Sequence, residues 1–143
     1  MATGTIIDSN VLLDVISDDA IWSGWSSQAL AEAAESGPMV INPVIYGEVS
    51  VRFTRIEDVE DALPRSDYRR MAVPWEAAFL AGKAYVDYRR RGGARRSPLP
   101  DFFIGAHAAI SSMQLLTRDA ARYRTYFPTV DVIAPPDDGR ADG

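Results

Sequence analysis

Four acidic residues stand where a folded chain could gather them. Asp8 closes the short apolar run Thr5–Ile7, and Asp119 closes the run that passes through Leu115, Leu116 and Thr117. Asp101 opens a predicted helix, and Glu48 falls about one and a half turns into another. Open parallel sheets bind their ligands just beyond the carboxyl ends of the strands, so these four could meet at one edge. Crowded carboxylates repel one another and raise one another's pKa. A hard divalent cation resolves that conflict, and oxygen donors suit magnesium or manganese. Paired ions of this kind activate water and stabilise the leaving oxygen of a phosphodiester. Each acid also has a plainer reading. Asp8, Asp101 and Asp119 could be helix N-terminal acids, and Glu48 could lie on a solvated helix face. The chemistry rests on their joint placement.

Composition narrows the alternatives. The chain has 143 residues with no cysteine and one histidine. That excludes disulfides, thiolate metal sites, a cysteine nucleophile and any mechanism needing two imidazoles. Twenty acids against fifteen bases give a formal net charge of -5, which speaks against a DNA-coating protein. With the four acids set aside, sixteen face fifteen, so the excess acidity lies largely in the proposed site. The segment 83–96 is basic, with Arg89, Arg90, Arg91, Arg95 and Arg96 just ahead of Asp101. Such a cluster can hold an RNA backbone; it can equally be cations favoured by a helix C-terminus.

The elements that must position these residues alternate. Strands are predicted over 5–7, 39–41, 68–73, 113–117 and 130–133. Helices are predicted over 11–16, 21–35, from Pro43 past Val49, and over 56–63, 74–91, 101–112 and 120–126. Ser9 and Asn10 read as cap-type residues, and Asn42 before Pro43 is a strong helix start. Short strands separated by helices imply an open parallel sheet with helices on both faces. One domain over 1–134 is expected, with a flexible tail over 135–143. His107 reads as a packed or partly exposed helix residue, and Asp14, Asp18 and Asp19 as surface acids, with support of a site residue as the alternative for Asp14. Trp22 and Trp25 suit either a core edge or an interface. No basic leader or long apolar span is present, so a soluble cytoplasmic protein is expected.

Four blocks follow one another along the chain: Ile6-Ile7-Asp8-Ser9-Asn10-Val11-Leu12-Leu13, Asn42-Pro43-Val44-Ile45-Tyr46-Gly47-Glu48-Val49, Pro100-Asp101-Phe102-Phe103-Ile104-Gly105-Ala106-His107-Ala108, and Leu115-Leu116-Thr117-Arg118-Asp119 with 123–128. In kind and order they resemble PIN-domain ribonucleases, and most closely the VapC toxins of toxin–antitoxin pairs. Ser9 stands where the family more often has threonine, and Gly105 where alanine is frequent.

The resemblance implies a three-layer α/β/α fold with a five-stranded parallel sheet of order 3-2-1-4-5. It implies that Asp8, Glu48, Asp101 and Asp119 hold one or two Mg2+ ions, with Mn2+ as a substitute. Ser9, Asn10 and Thr117 would then orient the carboxylates or bound water. The function implied is endoribonuclease action on tRNA or rRNA, leaving 5′-phosphate and 3′-hydroxyl ends. Partners implied are a VapB-type antitoxin, in a hetero-oligomer, and a second copy of the chain. The alternative is a non-catalytic PIN-fold module that only binds RNA or protein. A receiver domain is excluded because the single lysine, Lys83, lies mid-helix and no phosphoacceptor aspartate follows the third strand. A haloacid-type phosphatase is excluded because Asn10 stands where it needs an acid.

Overall fold

The computed structural model describes residues 4–93 and 99–136. Five short strands form one sheet: β1 (Thr5–Ile7), β2 (Met39–Ile41), β3 (Tyr68–Arg70), β4 (Gln114–Leu116) and β5 (Val132–Ile133). The order is β3-β2-β1-β4-β5 and every pairing is parallel. Residues of β1 and β2 are buried throughout, as expected for strands covered on both faces. The helices are α1 (Ser9–Ile16), α2 (Ser23–Ser36), α3 (Pro43–Ser50), α4 (Ile56–Ala62), α5 (Trp75–Arg90), α6 (Leu99–Ile110) and α7 (Ala121–Tyr126). The result is the expected three-layer α/β/α arrangement.

The strands differ from expectation only at their ends. β3 stops at Arg70, although the amide of Met71 still donates to the Ile41 carbonyl at 3.0 Å. Helix α6 starts two residues earlier than predicted, so Asp101 sits inside its first turn. It stops at Ile110, and Ser112 turns the chain out with φ of +53°. Asn42 caps α3 as the sequence suggests, its side-chain oxygen accepting from the Ile45 amide at 3.0 Å.

The central register brings the acid edge into being. Ile7 pairs with Leu116, and the Asp8 amide donates to the Leu116 carbonyl at 2.9 Å. Asp8 and Thr117 therefore leave the sheet side by side, at the point where the strand order reverses. An aromatic cluster braces the neighbouring helices. Phe102 meets Tyr126 edge-on at 5.3 Å and Tyr88 at 5.5 Å, joining α5, α6 and α7. Gly105 is needed for this packing, because a Cβ there would run into the Phe127 ring. The alanine frequent in the family would require that ring to shift.

Candidate active site

Asp8 occupies the N-cap position of α1, yet its carboxylate makes no cap hydrogen bond. It turns toward the neighbouring strand end instead. Its Oδ2 accepts from the Thr117 hydroxyl at 2.8 Å and from the Tyr123 hydroxyl at 3.0 Å. The cap reading of Ser9 and Asn10 is likewise replaced. Both lie within α1, and both side chains reach across the site. Ser9 Oγ donates to Glu48 Oε1 at 3.0 Å, which ties α1 to α3. Asn10 Nδ2 donates to Thr117 Oγ1 at 3.3 Å, and its Oδ1 accepts from the Arg118 amide at 3.2 Å. Thr117 Oγ1 also accepts from the Asp119 amide at 3.1 Å. One buried hydroxyl thus links Asp8, Asn10 and the loop that carries Asp119.

The electrostatics register the same convergence. Burial, then the charge of Asp101, pushes Asp8 from an ordinary 3.8 up to about 6, against the donors Thr117 and Tyr123. Burial pushes Glu48 from 4.5 up to about 7; the Ser9 hydroxyl resists, and the charges of Asp8 and Asp101 add to the rise. Burial also raises Asp101, with Arg122 opposing and Asp119 adding to the rise. Asp8, Glu48 and Asp101 are thus within reach of an acidic neighbour's charge, and Asp119 supplies that charge to Asp101. Asp8 is buried, Glu48 and Asp101 are half-buried, and Asp119 lies exposed at the rim of the site.

The donor set is all oxygen, acidic and desolvated, which fits a hard divalent ion. Among the described residues, no three of these side chains close into a group that would hold an ion on protein oxygens alone. An ion here would complete its shell with water, as Mg2+ commonly does when bound through one or two carboxylates.

Several residues around the site were given no part in it by the sequence reading, or only a minor one. Tyr123 is 2% exposed, and its hydroxyl serves Asp8; its own pKa is driven well above 10, first by burial and then by the charges of Asp8 and Asp101. Arg122 pairs with Asp101 at 2.6 Å. Asp14 is not the surface acid it resembled. It is 3% exposed and accepts from Arg118 Nε at 2.7 Å, Arg118 Nη2 at 3.0 Å and Ser26 Oγ at 2.7 Å. The available signal was partial: Asp14 lies one turn beyond Asn10 on α1, and Arg122 and Tyr123 open the helix that follows Asp119. Asp19 accepts from the amides of Ile21 and Trp22, organising the turn into α2. Trp25 packs on the core, and Trp22 lies under the Arg118 guanidinium at 5.1 Å. His107 is fully buried, with Nδ1 3.0 Å from the Asn42 side-chain nitrogen.

The basic segment approaches from the α5 end. Arg91 lies over the Tyr126 ring at 5.3 Å and pairs with Asp87 at 3.1 Å. Arg89 and Arg90 are the last residues of α5. Arg95 and Arg96 lie outside the described residues, as does 137–143 of the predicted tail.

An open parallel sheet whose reversal point gathers carboxylates from four segments defines a PIN-type α/β domain. The chain belongs to the PIN-domain family, whose sequence model matches residues 5–128. No curated protein matches it. Solved structures that share its fold include the Rickettsia felis VapBC2 complex bound to a promoter DNA fragment. That likeness is 14% identity with a TM-score of 0.69, over 91% of this chain and 97% of that one. A toxin–antitoxin complex from Klebsiella pneumoniae is 21% identical with a TM-score of 0.67, over 93% and 98% of the two chains. VapBC-1 from nontypeable Haemophilus influenzae is 14% identical with a TM-score of 0.69, over 91% and 96%. At these identities the likeness is one of fold.

Proposed function

We propose that this chain is a Mg2+-dependent endoribonuclease and the toxin of a VapBC-type pair. The observation that carries the reading is the shared strain of Asp8, Glu48 and Asp101. Each is desolvated and each is raised further by its acidic neighbours, a cost that a bound divalent cation removes. Asp8, Glu48, Asp101 and Asp119 would hold the ion. When bound, Mg2+ or Mn2+ would supply Lewis-acid polarisation of the phosphodiester and a more acidic water. The chain's own residues hold the acids in place. Thr117 and Tyr123 fix Asp8, Ser9 fixes Glu48, and Asn10 fixes the Thr117–Arg118 backbone. The products would carry 5′-phosphate and 3′-hydroxyl ends.

Single-stranded or loop RNA is the accessible substrate, with a structured RNA of translation, tRNA or rRNA, as its source. Arg89, Arg90, Arg91, Arg95 and Arg96 would grip its backbone. A VapB-type antitoxin is the proposed partner, supported by the fold shared with toxin–antitoxin complexes. A homodimer within a larger toxin–antitoxin assembly is supported by exposed Trp75, Phe79 and Val86, which follow one face of α5. No helix among the described residues is long and apolar enough to cross a membrane, in keeping with a proposed place in the cytoplasm.

The test compares RNA cleavage by the purified chain with magnesium, with EDTA, and with Asp8→Asn or Asp101→Asn. Cleavage that needs magnesium and both aspartates supports the reading. Cleavage indifferent to all three overturns it, and RNA binding without cleavage favours the non-catalytic module instead.

A further inference from the structure

We infer that Arg122 is a built-in counter-cation of the acid site, which occupies Asp101 in the metal-free protein and competes with a divalent ion for it. This rests on the metal reading of the site. Arg122 Nη1 lies 2.6 Å from Asp101 Oδ2. An oxygen engaged in so short a charge-assisted bond has that lone pair directed at the guanidinium. The guanidinium charge also repels a second cation arriving at the same carboxylate. Among the described residues, no other ion pair includes one of the four acids.

The other cation at this edge is differently committed. Arg118 is forked onto buried Asp14 through Nε and Nη2 and covers Trp22. Arg122 makes a single contact to its acid, and both partners are about one-third exposed, at 32% and 30%. A pair of that kind is weakly held. The Tyr88 ring lies 5.8 Å from the guanidinium carbon in the same conformation. Helix α7 thus presents two adjacent residues to the site, and both favour charged acids. Tyr123 does so on Asp8 without adding charge, whereas Arg122 brings a cation to Asp101 that a metal must displace.

Manganese binding to the full chain, followed by the EPR signal of free Mn2+, tests this without reference to cleavage. Arg122→Gln is expected to bind Mn2+ about threefold to tenfold more tightly than the unsubstituted chain. Arg122→Lys, which keeps the charge on a shorter side chain and loses the planar guanidinium, should fall between them. Circular dichroism establishes that each variant is folded, and the lysine variant carries the comparison if the glutamine variant is not. An arginine that merely aligned Asp101 for the metal would weaken binding when removed. Equal or weaker Mn2+ binding by a folded variant therefore overturns the inference and leaves the metal reading intact. Absence of Mn2+ binding by the unsubstituted chain and both variants overturns the metal reading and this inference together.

Discussion

The Thr117 hydroxyl donates to Asp8 Oδ2 at 2.8 Å across the junction of β4 and β1, joining residues 109 positions apart. Thr117 is fully buried and Asp8 is 4% exposed, so the bond lies out of water, where its loss would leave a carboxylate short of a donor. The same oxygen accepts from Asn10 and from the Asp119 amide. One side chain thereby sets the positions of two of the four acids.

Thr117→Val keeps the shape and removes the hydroxyl. Asp8 would retain Tyr123 as a donor, while the Asp119 amide and Asn10 would lose their acceptor. Stability is expected to fall by about 1–3 kcal/mol. Magnesium-dependent cleavage is expected to fall roughly 10–100-fold, the usual effect of removing a group that orients a metal-holding side chain. Urea denaturation and initial rates on a short RNA measure the two. Cleavage within twofold of the unsubstituted chain would contradict the role given to Thr117.

Asp14 separates stability from chemistry. It anchors Arg118, and through it the loop between β4 and α7, but it touches none of the four acids. Asp14→Ala leaves the Arg118 guanidinium and the Ser26 hydroxyl without their acceptor. A loss of roughly 2–4 kcal/mol is expected, below the fully buried case because Arg118 is partly exposed. Cleavage at a temperature where the variant is folded should fall less than in Asp8→Asn. The reverse ranking would mean that Asp14 belongs to the site itself.

The fold was legible because its signals are local. Apolar strands, the Asn42-Pro43 start and the four ordered blocks carry both topology and the acids. The support of those acids was less legible, because it depends on which way a side chain turns. Asp8 sits where a cap would sit and points elsewhere, a choice decided by Thr117 and Tyr123 in other elements. Asp14 reads as a surface acid beside Asp18 and Asp19 until Arg118, 104 positions away, folds onto it. Long-range polar pairs of this kind leave no period in a sequence.

Asp8→Asn tests the strain assigned to the site. The amide oxygen can still accept from Thr117 and Tyr123, while the buried charge and its repulsion by Asp101 disappear. The metal-free variant is therefore expected to melt at or above the temperature of the unsubstituted chain near neutral pH. Its melting temperature should also stop responding to magnesium, because the ion stabilises only through a folded site that binds it. A metal-free variant that melts well below the unsubstituted chain, or one that magnesium still stabilises fully, would show that Asp8 carries no such strain.

Acid strength gives the last prediction its sign. Folding raises Asp8 from 3.8 to about 6 and Glu48 from 4.5 to about 7. Both groups bind protons more tightly in the folded state, so their contribution is fully present below the unfolded values. It is lost as pH rises through the folded ones. Asp19 and Glu60 are shifted the other way by hydrogen bonds, to backbone amides and to Arg70 respectively, and their contribution is lost only as pH falls below the ordinary carboxylate range. The metal-free protein is therefore expected to lose thermal stability between about pH 5 and pH 8. Magnesium binds the deprotonated acids, so its stabilising shift should grow over the same interval and offset that loss. Thermal melts with EDTA and with millimolar magnesium across this range measure both slopes. The metal-free slope should shrink in Asp8→Asn and in Glu48→Gln. A slope that both variants retain would place the titrating groups outside this site.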